Sequence, residues 1–177
     1  MIKHQIVGYS NSGKTTVAAN LIRMLTKTGY SCATIKHHGD HTPLSKEPAG
    51  KDTAQHRQAG ACGTLAASDR EMVLTLQHNR AFSLNDFINF YNVLSLDVLL
   101  IEGYKKEKYP KTILLRTEND LSLLKKAVNI KCVLCRDKSL VNFVSENYTF
   151  PVFYMEDMED YLKWFLKRVE KGDYDES

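Results

Sequence analysis

Eight residues near the start of the chain, Gly8 to Thr15, read GYSNSGKT and match the pattern G-x-x-x-x-G-K-[ST]. In segments of this kind, here called the phosphate loop, backbone N–H groups and the N-terminus of the following helix bind the oxygens of a di- or triphosphate. Lys14 would reach the β- and γ-phosphates, and the Thr15 hydroxyl would ligate Mg²⁺. The segment therefore predicts a nucleotide-binding site.

The residues on both sides of the phosphate loop support this interpretation. Gln5–Val7 is partly β-branched and predicts a buried strand. After the loop, apolar residues recur with the 3.6-residue period of a helix, at Val17, Ala18, Leu21, Ile22 and Leu25. A strand, a glycine-bounded loop and a helix in this order distinguish a phosphate-binding loop from a chance match.

The rest of the chain alternates segments typical of strands with segments typical of helices. Helices are predicted from Asp52, from Ser83 and over Met158–Val169. Strands are predicted at Cys32–Ile35, Thr64–Ser68, Met72–Leu76, Val98–Ile101, Thr112–Leu115, Cys132–Leu134 and Val152–Tyr154, the second and third forming a candidate hairpin. This alternation predicts one α/β domain over residues 1–177, a three-layer P-loop NTPase domain with a mainly parallel sheet flanked by helices.

Two acids flank the continuously apolar strand Val98–Ile101. Asp97 precedes the strand and Glu102 follows it, about 16 Å apart along a strand. Ligands of parallel sheets bind beyond the carboxyl ends of the strands, where the phosphate loop also lies. We therefore expect Glu102 to act with Thr15 on the Mg²⁺ side, directly or through water, and Asp97 to cap the strand start.

The carboxyl end of the second strand is followed by a cluster of polar residues: Lys36, His37, His38, Asp40 and His41. Three interpretations are open. We favour a loop that faces the nucleotide or substrate, over a solvated loop and over a structural metal site.

Two further aspartates have two interpretations each. Asp52 is predicted to cap a helix, although the neighbouring Gly50 and Lys51 also permit a contact with an anion. Asp137 follows a strand, where its carboxylate would accept hydrogen bonds from guanine N1 and the exocyclic amine. The alternative for Asp137 is a turn-forming role.

The composition excludes several classes of protein. The chain is 43% apolar, and its net charge of +3 is too small to indicate nucleic acid. No apolar stretch approaches the roughly 20 residues that span a bilayer. Four cysteines do not make a disulfide scaffold, and Cys132 and Cys135 would lie on opposite faces of one strand. We expect a reducing, cytoplasmic setting with no membrane or nucleic-acid partner.

Four strings of the sequence agree with one family: the phosphate loop with Thr16, Ile35-Lys36-His37-His38 with His41, Gly50-Lys51-Asp52-Thr53 through Ala61, and Leu100 to Lys105 followed by Pro110, Lys111 and Arg116. On these strings the chain resembles the MobB family of molybdopterin-guanine dinucleotide biosynthesis adapter proteins. It departs from the family at Tyr104, where phenylalanine is usual, and this keeps an aromatic ring.

The resemblance implies a cytoplasmic, Mg²⁺-dependent GTP-binding protein that acts as a homodimer in molybdenum cofactor maturation. Such a protein assists the nucleotidyltransferase MobA, which joins GMP to molybdopterin, and hydrolyses GTP weakly at most. The resemblance implies that Thr15 and Glu102 form the metal side, and that Lys36, His37 and Asp52 are motif residues without assigned individual roles. It also implies a set of nucleotide contacts: Ser10, Asn11, Ser12, Gly13, Lys14, Thr15 and Thr16.

Slow hydrolysis is also expected from the residues, because no glutamine or arginine is obviously placed to assist an attacking water, and an arginine finger is worth about 10³–10⁵ in rate. Two other functions remain open. A small-molecule kinase would need an arginine-bearing lid, for which the region of Arg70 and Arg80 is a poor candidate between strand-like segments. A metal-delivery GTPase is supported only by the cluster from His37 to His41.

Overall fold

The computed structural model describes residues 1–39, 51–77, 79 and 81–172. A 3₁₀ turn at Glu118–Leu121 directly precedes the fourth α-helix. The elements are, in chain order, β1 (Ile2–Val7), α1 (Lys14–Lys27), β2 (Cys32–Lys36), α2 (Lys51–Gln58), β3 (Gly63–Ala67), β4 (Met72–Leu76), α3 (Leu84–Tyr91), β5 (Val98–Glu102), β6 (Lys111–Leu115), α4 (Ser122–Lys126), β7 (Ile130–Cys135), α5 (Lys138–Asn147), β8 (Val152–Tyr154) and α6 (Met158–Lys171).

The chain divides into two compact units. Residues 1–39 and 87–177 make the larger unit, and residues 40–86 make the smaller unit. The prediction of a single domain over residues 1–177 stays a prediction. None of the helices in the described ranges is both long and apolar enough to cross a bilayer.

The larger unit contains a six-stranded sheet in the order β2-β5-β1-β6-β7-β8, and every pair of neighbouring strands is parallel. From β1 the chain first builds the β5 and β2 side and then, from β6 onward, the opposite side. The strand order thus reverses beside β1, between β1 and β6. In parallel sheets the crevice at such a switch point is where ligands bind.

Helices cover both faces of this sheet, because its central strands are apolar on both sides. On one face, α1 and α6 bury Leu21, Leu25 and Phe165 against Ile6 and Leu100. On the other face, α4 and α5 pack against a second cluster, which contains Val7, Ile113, Leu115, Leu124, Val133, Cys135, Leu140 and Val144. The predicted three-layer architecture with a parallel sheet is therefore confirmed.

The smaller unit contains α2 and the predicted hairpin, in which β3 and β4 pair antiparallel. Arg57 in α2 donates a hydrogen bond to Thr64 Oγ1 in β3 over 2.7 Å. The predicted capping role of Asp52 is wrong, because α2 already begins at Lys51 and Asp52 therefore lies within its first turn. In this position its carboxylate still interacts favourably with the positive end of the helix dipole.

Two helices were not predicted from the sequence, α4 and α5. The first has only five residues, too few to show an apolar period. The second does carry apolar residues at helical spacing, at Leu140, Val141, Phe143 and Val144, so its signal was present and was not used. The expectation for the C-x-x-C string holds, since Cys132 and Cys135 belong to the apolar clusters on opposite faces of β7.

Candidate functional site

The phosphate loop connects β1 directly to α1, and its backbone requires residues that tolerate positive φ. Gly13 has φ of 94° and Asn11 has φ of 58°. Gly13 is also the N-cap of α1, and since it has no side chain, the first N–H groups of the helix stay available to an anion. A Cβ atom at Gly8 would overlap Ser12 Oγ, so the loop closes only around glycine at that position.

Lys14 lies in the first turn of α1 and folds back over the loop. Its Nζ donates to the backbone oxygen of Tyr9 over 2.8 Å. Burial lowers the pKa of Lys14, Glu102 raises it, and the cations Lys105, Lys36 and Arg116 lower it further. The ammonium therefore lies in a cation-rich, partly dehydrated place, which a bound anion would stabilise.

Glu102, Thr15 and Lys36 meet at the carboxyl ends of β2 and β5. Thr15 Oγ1 lies 3.2 Å from both carboxylate oxygens of Glu102 and donates its proton to this group. Lys36 Nζ lies 3.7 Å from Glu102 Oε1 and 3.4 Å from Thr15 Oγ1. The pairing of β2 with β5 explains this arrangement, because it sets Lys36 opposite Glu102. The strand-end argument thus selected a carboxylate that does touch the phosphate loop.

This group of side chains fits a magnesium ion by its chemistry. A hydroxyl and a carboxylate are the hard oxygen ligands that Mg²⁺ takes, with water filling its other positions. Thr15, Lys36 and Glu102 form the polar side of a cavity of about 180 Å³, whose other walls are largely apolar and include Ile6, Ile22 and Leu100. The ammonium of Lys36 against the same two residues shows that the place already accommodates positive charge.

His37 follows β2 and packs beside this group. Its backbone N–H donates to the backbone carbonyl oxygen of Glu102, and its ring lies 4.5 Å from the ring of Tyr104, centroid to centroid. Gln5 Nε2 donates to the backbone oxygens of Gly103 and Tyr104 and holds the turn after β5. Among the described residues no group of three or more His, Cys, Asp or Glu side chains is placed to hold a metal ion, and Asp40 and His41 lie outside them.

Arg116 and its partner Asp120 were not predicted as site residues. Arg116 Nη1 donates to the backbone oxygen of Ser10 in the phosphate loop over 2.8 Å, and the rest of the guanidinium binds the Asp120 carboxylate. Lys105 Nζ lies 4.2 Å from the ring centroid of Tyr9, which also faces Arg116. The strand-end argument that selected Glu102 would have selected Arg116, which directly follows β6.

Asp137 lies at the carboxyl end of β7 and caps α5. Its Oδ1 accepts from the Ser139 N–H and from Ser139 Oγ, both over 2.8 Å, and these bonds lower the pKa of the carboxyl. Asp137 therefore does form the turn at the start of α5, as the second of its two interpretations predicts. A contact with guanine stays a prediction, as do the nucleotide contacts of Ser10 to Thr16 and a ligand-facing role for Asp52 in the smaller unit.

Comparisons with known proteins agree with one another. Residues 4–136 match the family described as "Molybdopterin guanine dinucleotide synthesis protein B". A Bacillus subtilis (strain 168) protein named "Probable molybdopterin-guanine dinucleotide biosynthesis adapter protein" is 37% identical over 153 residues, which are 86% of this chain and 85% of that relative.

Two solved structures share the fold over nearly the whole chain. Bacillus subtilis MobB is 31% identical with a TM-score of 0.77, covering 95% of this chain and 98% of the other. A MobB homolog from Bacillus stearothermophilus is 28% identical with a TM-score of 0.75, covering 97% and 99%. Similarity therefore extends over both the phosphate loop and the elements that position it.

Proposed function

Because the chain belongs to the MobB family, we propose that it is a GTP-binding adapter protein that assists the conversion of molybdopterin to molybdopterin guanine dinucleotide. The family relationship carries the role in molybdenum cofactor biosynthesis. That the ligand is a nucleotide is inferred from the geometry of the site. The observation that carries it is the meeting of the Thr15 hydroxyl with the Glu102 carboxylate at the start of α1.

In this proposal the phosphate loop holds the β- and γ-phosphates, with Lys14 leaving the Tyr9 oxygen to bind them. Thr15 and Glu102 hold Mg²⁺, which when bound neutralises charge on the phosphate oxygens. Lys36, whose ammonium contacts the side-chain oxygens of Thr15 and Glu102, would give them up to the cation and add a further positive charge beside the phosphates. Ser10, Asn11, Ser12, Gly13 and Thr16 supply the remaining loop contacts.

The site is built to hold GTP more than to hydrolyse it. The guanidinium closest to the loop, that of Arg116, is already bound to Asp120 and to the Ser10 oxygen. An arginine that accelerates hydrolysis must instead neutralise charge on the transferring phosphoryl group, an effect worth about 10³–10⁵ in rate. Hydrolysis by the isolated protein is therefore proposed to be weak.

The preference for guanine is assigned to Asp137. Both bonds from Ser139 end on Oδ1, so the proposal gives the contact with the base to Oδ2. The further parts of the proposal are a cytoplasmic homodimer and a complex with the nucleotidyltransferase MobA. They are supported by family membership.

A titration of the purified protein with GTP and with ATP, each with and without Mg²⁺, tests the proposal. We expect GTP to bind at least about tenfold more tightly than ATP, and Mg²⁺ to strengthen binding. Asp137→Asn should remove most of the preference, whereas Ser139→Ala, which disturbs only the cap, should keep it. Equal affinity for the two nucleotides contradicts the guanine assignment, and failure of both to bind contradicts the site.

The same titration repeated with MobA present tests the adapter role. We expect the two proteins to co-elute and the GTP affinity to change on mixing, because an adapter must couple its ligand to its partner. Neither the small-molecule kinase nor the metal-delivery GTPase gains support from the described residues. Arg70 lies in the connection between β3 and β4, and His37 packs on Tyr104.

A further inference from the structure

The segment that follows β6 is joined to the phosphate loop by an ion pair, here called the Arg116–Asp120 clamp. Arg116 Nε and Nη2 donate to the two carboxylate oxygens of Asp120, each over 2.9 Å. The third nitrogen, Nη1, donates to the Ser10 oxygen over 2.8 Å. One guanidinium therefore connects a carboxylate in the 3₁₀ turn to the backbone of the loop.

The clamp differs from an ordinary surface ion pair in its burial and geometry. The side chain of Asp120 is only 2% exposed, and that of Arg116 is 33% exposed. Asp120 Oδ2 also accepts from the backbone N–H of Arg116 over 2.9 Å. A bidentate pair with a buried carboxylate fixes the guanidinium in position and direction, which exposed pairs do not.

A second contact joins the same two segments. The Tyr9 hydroxyl lies 3.2 Å from Ser122 Oγ, in the first turn of α4, and the Tyr9 ring centroid lies 5.8 Å from the guanidinium carbon of Arg116. The first half of the loop, Tyr9 to Asn11, is thus held from the β6 side. This half includes the left-handed backbone at Asn11, a conformation that surrounding contacts must maintain.

From these contacts we propose that Arg116 and Asp120 are positioning residues for the nucleotide site, which hold the first half of the phosphate loop in the shape that accepts phosphate. This inference rests on the proposed function. The Ser10 oxygen, tied to Arg116, fixes the peptide plane whose N–H belongs to Asn11. A preorganised loop pays no ordering entropy when a ligand arrives, so releasing it lowers affinity without removing any ligand contact.

Two clamp variants of the full chain, Arg116→Lys and Asp120→Asn, test the proposal together with their combination. Asp120→Asn is the informative one, because it keeps the arginine and its charge but loosens its hold. We expect each variant to lower the affinity for GTP and for GDP by a similar factor of about ten. The double variant should bind as tightly as the single variant with the lower affinity.

The control is another pair at the same spacing, Lys163 and Glu159 on α6, which is exposed and 2.7 Å apart. Lys163→Ala should leave nucleotide affinity unchanged. A second readout needs no nucleotide: amide hydrogen exchange of the loop N–H groups should speed up in Asp120→Asn and in Arg116→Lys, but not in Lys163→Ala. If Asp120→Asn does not fold, Arg116→Lys at its partly exposed position carries the test.

The outcomes separate the possible roles. Normal affinity in Asp120→Asn with a loss confined to Arg116→Lys, larger for GTP than for GDP, would mean a direct contact with the γ-phosphate and overturn the positioning role. Unchanged hydrogen exchange in both clamp variants would also overturn it. If the wild-type protein binds neither nucleotide, the proposed function fails, and the exchange experiment still decides whether the clamp positions the loop.

Discussion

The paired strands β2 and β5 carry a polar cross-strand contact at each end, and the two contacts differ in kind. At the amino end, Asp97 Oδ2 accepts from the Ser31 N–H over 2.8 Å and from Ser31 Oγ over 2.7 Å. At the carboxyl end, Glu102 meets Thr15 at 3.2 Å and Lys36 at 3.7 Å. The first contact is short and joins only the two strand starts, whereas the second is longer and adds the helix that follows the phosphate loop.

The difference shows how the two ends of one strand place a carboxylate in different surroundings, one joining the strand starts and one beside the phosphate loop. Short hydrogen bonds to a backbone N–H and a neighbouring hydroxyl give Asp97 its full set of local partners and tie two turns together. The longer contacts of Glu102 are with the Thr15 hydroxyl and with the ammonium on the flexible side chain of Lys36, which an arriving cation can replace. The end of the strand thus predicts the role better than the residue type does.

The largest effect should follow removal of the cation within the phosphate loop, Lys14. We expect Lys14→Ala to weaken GTP binding at least about 100-fold, because the phosphates lose a charged hydrogen bond in a partly dehydrated site. Lys27→Ala, at the exposed far end of the same helix, should have no effect on binding. Calorimetric titration measures both, and micromolar affinity retained in Lys14→Ala would show that the phosphates bind elsewhere.

The direct test of the comparison replaces each carboxylate by its amide. Glu102→Gln should weaken Mg²⁺-dependent GTP binding about tenfold to 100-fold, since an oxygen on the metal side loses its charge. Asp97→Asn should change this binding less than about twofold, because Asp97 lies at the amino end of β5, away from the phosphate loop. The measurement is GTP affinity across a series of Mg²⁺ concentrations, and the reverse ranking would refute the strand-end argument.

The smallest effect should be a loss of stability in Asp97→Asn. Hydrogen bonds from Ser31 lower the pKa of Asp97 in the folded protein, so its contribution is present above the unfolded pKa and is lost as the pH falls through the folded pKa. We expect a small drop in the thermal midpoint at pH 7 that shrinks as the pH falls below 3.8, the ordinary pKa of an aspartate. A drop of equal size above and below this pH would mean that the charge of Asp97 does not matter.

Much of the fold and part of the site follow from local patterns. The continuous apolar run of β5 predicted a strand buried on both faces, and its direction in a parallel sheet predicted that Glu102 and not Asp97 would meet the loop. The capping signal at Ser83 correctly placed α3, in which Asp86 and Ser83 bond each other. These features depend on neighbours in sequence or on strand direction alone.

Arg116 was missed although it stands at the carboxyl end of β6, as Glu102 stands at that of β5, and its contact with the loop depends on which strands are neighbours. Arg116 reaches Ser10 because β6 lies beside β1, and strand order is not encoded in any short segment. The start of α2 was predicted two residues too late, at Thr53 instead of Lys51, since capping signals seldom fix the first residue of a helix. Asp137 had a local signal in Ser139, two residues on, which predicts a cap without excluding a ligand.

We expect the contact between Lys14 and the Tyr9 oxygen to make the loop selective for the number of charges on its ligand. An arriving anion must compete with the backbone carbonyl of Tyr9, which already accepts a hydrogen bond from the Lys14 ammonium. A carbonyl is neutral, so the multiply charged end of a triphosphate displaces it, whereas a nucleoside or a chloride ion gains little over it. In the proposed function the Tyr9 carbonyl thus acts as an internal competitor for Lys14, which a triphosphate displaces more readily than a weakly charged anion does.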